Sequence, residues 1–365
     1  MSRVSVRGIA GAVRRRARDV YRFDPRRYLP PPTRARGGPP RVGLVGFFGW
    51  GNYGDELFIE VFREHLGGRL ELQPIFDSVT PPYTTAPLRE VVDATDAVLI
   101  GGGDIVSPWS RRSRYWAGEF LRRPAFVAGV GVPTWRPADP GAVREVRRFF
   151  RHANVRFIHA RDEESGRWIE THLEPRIPVV VAPDLVCALT LPPVARPSDP
   201  PILGIVVRKR DQPDDLTHVR RLAERGAELG YRVRTIVLAT GSTRPDDLEA
   251  TRALGFAGAE LVESDGLQDL TRAIGECTVL ATMKFHGLVV ATMYGIPAFA
   301  LIRTDKNINF LRRIGRLDLV SGVDDPELAD HLTRDVPPID PRIPRELRRA
   351  TEAMLTDLAA RLAAV

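Results

Sequence analysis

The sequence predicts an α/β protein made of two doubly wound parallel-sheet domains in tandem. Three observations carry that expectation. From residue 41 onward, short β-branched runs alternate with amphipathic stretches, as strands and helices do in an open sheet. The 365 residues exceed one ordinary domain and suit two, at roughly 100–200 residues each. Between residues 188 and 201 the chain reads ALTLPPVARPSDPP, where five prolines break the alternation before it restarts.

Residues 1–40 form a basic, Arg/Pro-rich extension, with Arg14, Arg15, Arg16, Arg18, Arg26, Arg27, Arg34 and Arg36 against Asp19 and Asp24. Its apolar stretch, Val6 to Val13, is interrupted by Arg7 and too short for a signal-peptide core. A first domain at 41–190 takes strands at 41–47, 72–77, 97–102, 125–132, 156–161 and 179–181, with helices such as 55–66 and 142–152 between them. A second domain at 200–335 takes strands at 202–207, 232–238, 260–262, 279–282 and 297–302, with helices at 216–229, 267–275 and 287–294. An amphipathic helix within 340–365 closes the chain. Two such sheets in tandem place the carboxyl ends of their strands on a shared cleft, where ligands bind in this architecture.

Composition narrows the function. Hydrophobic residues make up 43% and charged residues 27%, the balance of a globular protein, and no run approaches the ~20 apolar residues of a bilayer-spanning helix. Cys187 and Cys277 are too few and too far apart for a disulfide framework or a zinc site. The net charge is +7, yet past residue 40 the basic residues are dispersed and no aromatic–basic motif appears, which disfavours nucleic acid. The chain reads as cytoplasmic. Its basic extension offers peripheral contact to the inner face of an anionic membrane, although a solvated tail is the plainer reading. Of the 53 basic residues, all but Lys209, Lys284 and Lys306 are arginine.

The strand ends carry the chemistry. The first strand runs into Gly46-Phe-Phe-Gly-Trp-Gly-Asn-Tyr-Gly-Asp-Glu56, a loop whose backbone N–H groups can approach a ligand. It is neither a dinucleotide fingerprint nor a P-loop, since it is too long for the first and lacks Gly-Lys-Ser/Thr for the second. Asn52, Gly54 and Asp55 in this loop are candidate ligand contacts, with helix capping the plain alternative for Asn52 and Asp55. The third strand ends in Gly101-Gly102-Gly103-Asp104, where consecutive glycines point to close approach of a ligand or another backbone. Arg161 and Asp162 end the fifth strand and Asp184 follows the sixth. Four carboxylates at strand ends raise the question of a metal, but capping answers it for Asp55 and Asp162, and no metal is assigned.

The second domain supplies cations. Arg208 ends its first strand. Lys284 and His286 occupy the turn before a helix that starts near Gly287, so His286 sits at a helix amino terminus, where anions are favoured. Lys306 follows the last strand. Arg208, Lys284, His286 and Lys306 would form a cationic wall facing the glycine-rich, acid-bearing wall of the first domain.

With these motifs in this order, the sequence resembles the polysaccharide pyruvyl transferase family. The matching elements are GFFGWGNYGDEL (46–57), LIGGGDIV (99–106), GVGV (129–132), ARDEES (160–165), APDL (182–185), the Arg208 strand end, KFHGLVVATMYGIP (284–297) and TDKNINFL (304–311). The chain departs from the family in having Lys284 where Arg is common, and Lys-Arg-Asp rather than an aromatic-containing stretch after Arg208.

The resemblance implies two Rossmann-like domains in a GT-B-like fold, with the active site in the interdomain cleft. It also implies transfer of pyruvate from phosphoenolpyruvate to two hydroxyls of a saccharide or glycolipid acceptor, as a ketal, without a cofactor. Under it, His286, Arg208, Asp55 and Asp104 are the catalytic candidates. Asn52, Gly54, Gly102, Gly103, Arg161, Lys284, Gly287 and Lys306 are the substrate-binding ones. A glycosyltransferase using a nucleotide sugar, or a non-catalytic sugar-binding protein of the same fold, are the rival readings.

Overall fold

The computed structural model describes residues 38–78, 87–111, 113–195, 199–210 and 215–365. The reading of the basic extension lies, but for its last three residues, outside them. Strands β1 (Arg41–Phe48), β2 (Glu71–Ser78), β3 (Ala97–Gly103), β4 (Ala125–Val130), β5 (Val155–Ala160) and β6 (Val180–Val181) form a parallel sheet in the order β2-β1-β3-β4-β5-β6. Strands β7 (Ile202–Val206), β8 (Arg232–Ile236), β9 (Glu260–Val262), β10 (Val279–Thr282) and β11 (Ala298–Ala300) form a second, in the order β11-β10-β7-β8-β9. β4 and β7 are buried at every position, because a parallel strand covered on both faces must be apolar throughout. Strand order reverses between β1 and β3 and again between β7 and β10, and at such points the carboxyl ends leave a crevice.

The helices are α1 (Tyr53–Leu66), α2 (Leu88–Asp93), α3 (Pro140–Phe150), α4 (Glu163–Leu173), α5 (Thr217–Glu228), α6 (Arg244–Ala253), α7 (Leu267–Gly275), α8 (Phe285–Met293), α9 (Asp305–Arg313) and α10 (Arg342–Ala363). α3 starts on a proline, which needs no N–H partner there, and Asp139 accepts from the N–H groups of Gly141 and Ala142 at 2.8 and 2.9 Å. α8 is buried at every residue but His286, as befits a helix apolar all round. It begins two residues before the expected Gly287, and α9, which follows the last strand, carries Lys306 in its first turn.

α10 returns to pack on α1 and on the 3-10 turn Leu185–Ala188, and Arg348 donates to the Leu189 carbonyl at 3.0 Å. One apolar core therefore runs from the first sheet through α1, α8 and α10 to the second. A separate cluster fills the other face of the first sheet, and alternate residues of β3 divide between the two, Leu99 to one and Val98 and Ile100 to the other.

Candidate active site

The glycine loop after β1 is closed rather than open. Gly49 and Gly51 have φ of 78° and 87°, and both N–H groups donate to Glu56 Oε1, at 2.8 and 3.0 Å. Burial raises the Glu56 carboxyl pKa against the pull of those amides. The loop thus cradles a side chain of its own helix, which corrects the expectation that its amides meet a ligand. Its other side lies on the second half of the chain: Thr240 N–H donates to Gly51 O at 2.7 Å, Thr243 N–H to Trp50 O at 3.2 Å, and Asn52 bridges Ala239. A Cβ on Gly51 would run into the Thr240 carbonyl.

Asn52 stands at the N-cap of α1 yet its side chain makes no cap bond. Its Nδ2 donates instead to Asp55, while its Oδ1 accepts from Lys284 Nζ at 3.4 Å. Lys284 Nζ also donates to Leu238 O at 2.7 Å and pairs with Asp247 Oδ2 at 2.5 Å, both side chains nearly buried. Burial lowers the Lys284 pKa, and Asp247 opposes that. Lys284, expected to bind substrate, is instead tied into a buried Asp247–Lys284–Asn52–Asp55 chain crossing the seam. Burial pushes the Asp55 carboxyl up to about 6, although His286, Asn52 and Lys306 favour its ionised form.

His286 lies in the first turn of α8, inside the helix rather than before it. Phe58 and Phe285 meet its ring edge-on at 5.0 and 5.1 Å, and a Cβ on Gly54 would collide with its Nδ1. Gly54 therefore leaves the space that His286 occupies. His286 Nε2 is 3.6 Å from Oδ1 of Asp184, a carboxylate 2% exposed that accepts from Val186 N–H at 3.0 Å.

Asp104, at the end of β3, pairs with Arg161 from the end of β5 and with Lys306 Nζ, the latter at 2.8 Å. Burial alone would raise the Asp104 pKa, but the two cations overcome it and hold the carboxyl well below its usual range. That makes Asp104 a weaker proton acceptor than Asp55, whose carboxyl burial has raised. The Phe285 ring lies 4.9 Å below the Arg161 guanidinium and 5.8 Å from Lys306 Nζ. Around them α9 is fastened to the first half: Thr134 N–H and Oγ1 both donate to Asp305 at 2.7 Å, and Arg312 and Arg313 pair with Glu164 and Glu163 at 2.9 and 2.8 Å.

Arg208 is exposed beyond β7, its N–H donating to Met283 Sδ at 3.4 Å. It is outside the cavity next to Asp55. Gly287 is explained by packing, since a Cβ there would meet Thr282 Oγ1 at 2.7 Å.

That cavity, about 560 Å³, is lined by four of the expected residues, Asp55, Gly102, Gly103 and Asp104. Gly102 and Gly103 have φ of 86° and 82°, and their turn opens on the cavity beside Asp55. Ile105 of the quoted LIGGGDIV motif also lines it, and the rest of the wall was not read from the sequence: Trp109, Tyr115, Arg136 and the hydroxyl residues Ser107, Ser110 and Ser113. Arg136 lies 5.9 Å over the Trp109 ring, and Trp135, 52% exposed, packs on Trp109 at 5.3 Å. The available signal was the run SPWSRRSRYW at 107–116, serine and aromatic residues in a connection with no periodicity. Among the described residues no group of three His, Cys, Asp or Glu could hold a metal ion.

Solved structures share this architecture. MnaA of S. aureus, in a structure with UDP, is 12% identical at a TM-score of 0.56, over 89% of this chain and 98% of that one. The UDP-GlcNAc 2-epimerase of Methanocaldococcus jannaschii is 9% identical at 0.54, over 88% and 99%. A UDP-glucosyltransferase from Polygonum tinctorium is 11% identical at 0.52, over 90% and 100%. The GT-B-like fold expected from the sequence is borne out. No curated protein matches in sequence. A family model described as polysaccharide pyruvyl transferase matches residues 52–305, which span Asn52, Asp55, Asp104 and His286 and end at Asp305, the first residue of α9. The chain belongs to the polysaccharide pyruvyl transferase family.

Proposed function

We propose that the protein transfers pyruvate from phosphoenolpyruvate to two hydroxyls of a saccharide, forming a ketal and releasing phosphate. One observation carries this reading beyond family membership: Asp55, titrating near 6, lines a sugar-sized cavity and feels the charges of His286 and Lys306. A proton delivered to the methylene carbon of phosphoenolpyruvate makes C2 electrophilic. One sugar hydroxyl adds there and gives up its proton. The C2–O bond to phosphate then breaks, and the second hydroxyl closes the ketal on the same carbon. Of the two protons taken from the acceptor, one replaces that spent on the new methyl group and one leaves with phosphate.

Such a reaction needs a group that both gives and takes protons close to neutral pH, and Asp55 meets that need. His286 is a second proton carrier. Lys306 is the cation to meet the carboxylate or phosphate of the donor. Trp109 and Tyr115, with the three serine hydroxyls, offer a sugar ring an apolar face and hydrogen-bonding partners.

The test is phosphate release from phosphoenolpyruvate by the full chain, across a panel of mono- and oligosaccharides. Release that depends on an acceptor supports the proposal. Thermal stabilisation by UDP-GlcNAc, with no response to phosphoenolpyruvate, would favour glycosyl transfer instead.

A further inference from the structure

We propose that Asp184 is a positioning residue for His286, accepting the Nε2 proton so that Nδ1 is turned toward the amino end of α1 and Asp55. The inference rests on the proposed transfer only in giving His286 a proton to carry. His286 Nε2 and Asp184 Oδ2 are both buried and neither has a hydrogen-bond partner, an arrangement proteins rarely leave standing. The 3.6 Å between Nε2 and Oδ1 closes with a small turn of the imidazole. Asp184 cannot drift, since its carboxylate also caps the turn Leu185–Ala188. Gly54 leaves the ring its place on the opposite side, and Phe58 and Phe285 box its edges.

The charged groups facing this ring come from three directions. Asp184 follows β6, Asp55 belongs to α1, and Arg161 and Lys306 stand against the neighbouring Phe285. A carboxylate on one ring nitrogen decides which nitrogen carries the proton. Because Asp184 belongs to the first half and His286 to the second, the tautomer is set only when the halves are closed on each other.

The experiment uses the full chain with ¹⁵N-labelled histidine, His286 being assigned by its loss in His286→Gln. In the parent protein the neutral ring should carry its proton on Nε2. Asp184→Asn should shift that pattern toward mixed tautomers and lower kcat for phosphate release at least ~10-fold, with KM for phosphoenolpyruvate changed less than ~3-fold. Asp184→Glu should restore part of kcat. An unchanged His286 spectrum in Asp184→Asn, or a rise in KM alone, overturns the proposal. If Asp184→Asn does not fold, the parent spectrum decides, and a neutral ring protonated on Nδ1 overturns it. Absence of phosphate release with every acceptor would remove the proposed function, while the spectra would still judge Asp184.

Discussion

Two glycine-rich loops leave neighbouring strands of the first sheet, and they do different work. The loop after β1 is filled by Glu56 and pressed onto residues 239–243 of the second half. The turn after β3, Gly102–Gly103, opens on the cavity beside Asp55. Both need glycine because a backbone must come close to something. At Gly51 that something is the Thr240 carbonyl and at Gly102 the Phe58 ring, whereas an added Cβ on Gly103 finds nothing nearer than Asp55 Oδ1 at 3.6 Å, on the cavity side. Glycine content reports close approach; only the partner across the gap reports its purpose.

Asp55 lies between the two loops, so its replacement is the sharpest probe of the contrast. Asp55→Asn should lower kcat for phosphate release by ~10²–10⁴ with the fold intact by circular dichroism. Near-normal turnover would move the chemistry away from the cavity. Next comes the closed loop itself. Gly51→Ala forces a Cβ against the Thr240 carbonyl at a left-handed φ, and should cost about 2–5 kcal/mol in urea unfolding while enlarging the radius seen by small-angle scattering. A variant as stable and compact as the parent would show that the loop is not held on the second half.

The titration of Asp55 gives the third effect. Its pKa rises from the ordinary 3.8 to about 6 on folding, so the stability it contributes is fully present below about 3.8 and lost as pH climbs through about 6. Relative to the parent, Asp55→Asn should therefore gain roughly 3 kcal/mol between pH 4 and pH 8. A pH-independent difference would mean the carboxyl is solvated. The smallest effect belongs to the open turn. At Gly103 the nearest atom to an added Cβ is Asp55 Oδ1 at 3.6 Å, so Gly103→Ala meets only backbone strain, about 1–2 kcal/mol. Its main consequence should be a higher KM for the acceptor, and equal losses of stability at Gly51 and Gly103 would erase the distinction between the loops.

The fold was legible where burial is complete. β4 and β7 read as unbroken apolar runs because helices cover both faces. α6 went unread, since only Asp247 and Thr251 of its residues are buried and no apolar stripe marks it. The start of α8 was misplaced because Lys284-Phe285-His286 looks like a polar turn, whereas Phe285 is buried and Lys284 only precedes the helix. In the site, Asp55 and His286 could be chosen from their places at strand ends. Their pairings could not. Lys306 meets Asp104 and Asp184 meets His286 only where the two halves close on each other, Lys284 meets Asp247 only through the folding of the second half, and no local pattern encodes these pairings.

The return of α10 to α1 has a mechanical consequence. The chain crosses between the halves twice, once between β6 and β7 and once on the way into α10, so the two sheets cannot simply pull apart. Two tethers leave rotation about the line joining them as the soft motion, a twist that would unfasten the Asp104–Lys306 pair on the cleft side. Severing the chain near residue 200 would not yield a free-standing first half either. It would strip the apolar flank of α1 of its cover and turn an interior surface into an adhesive one.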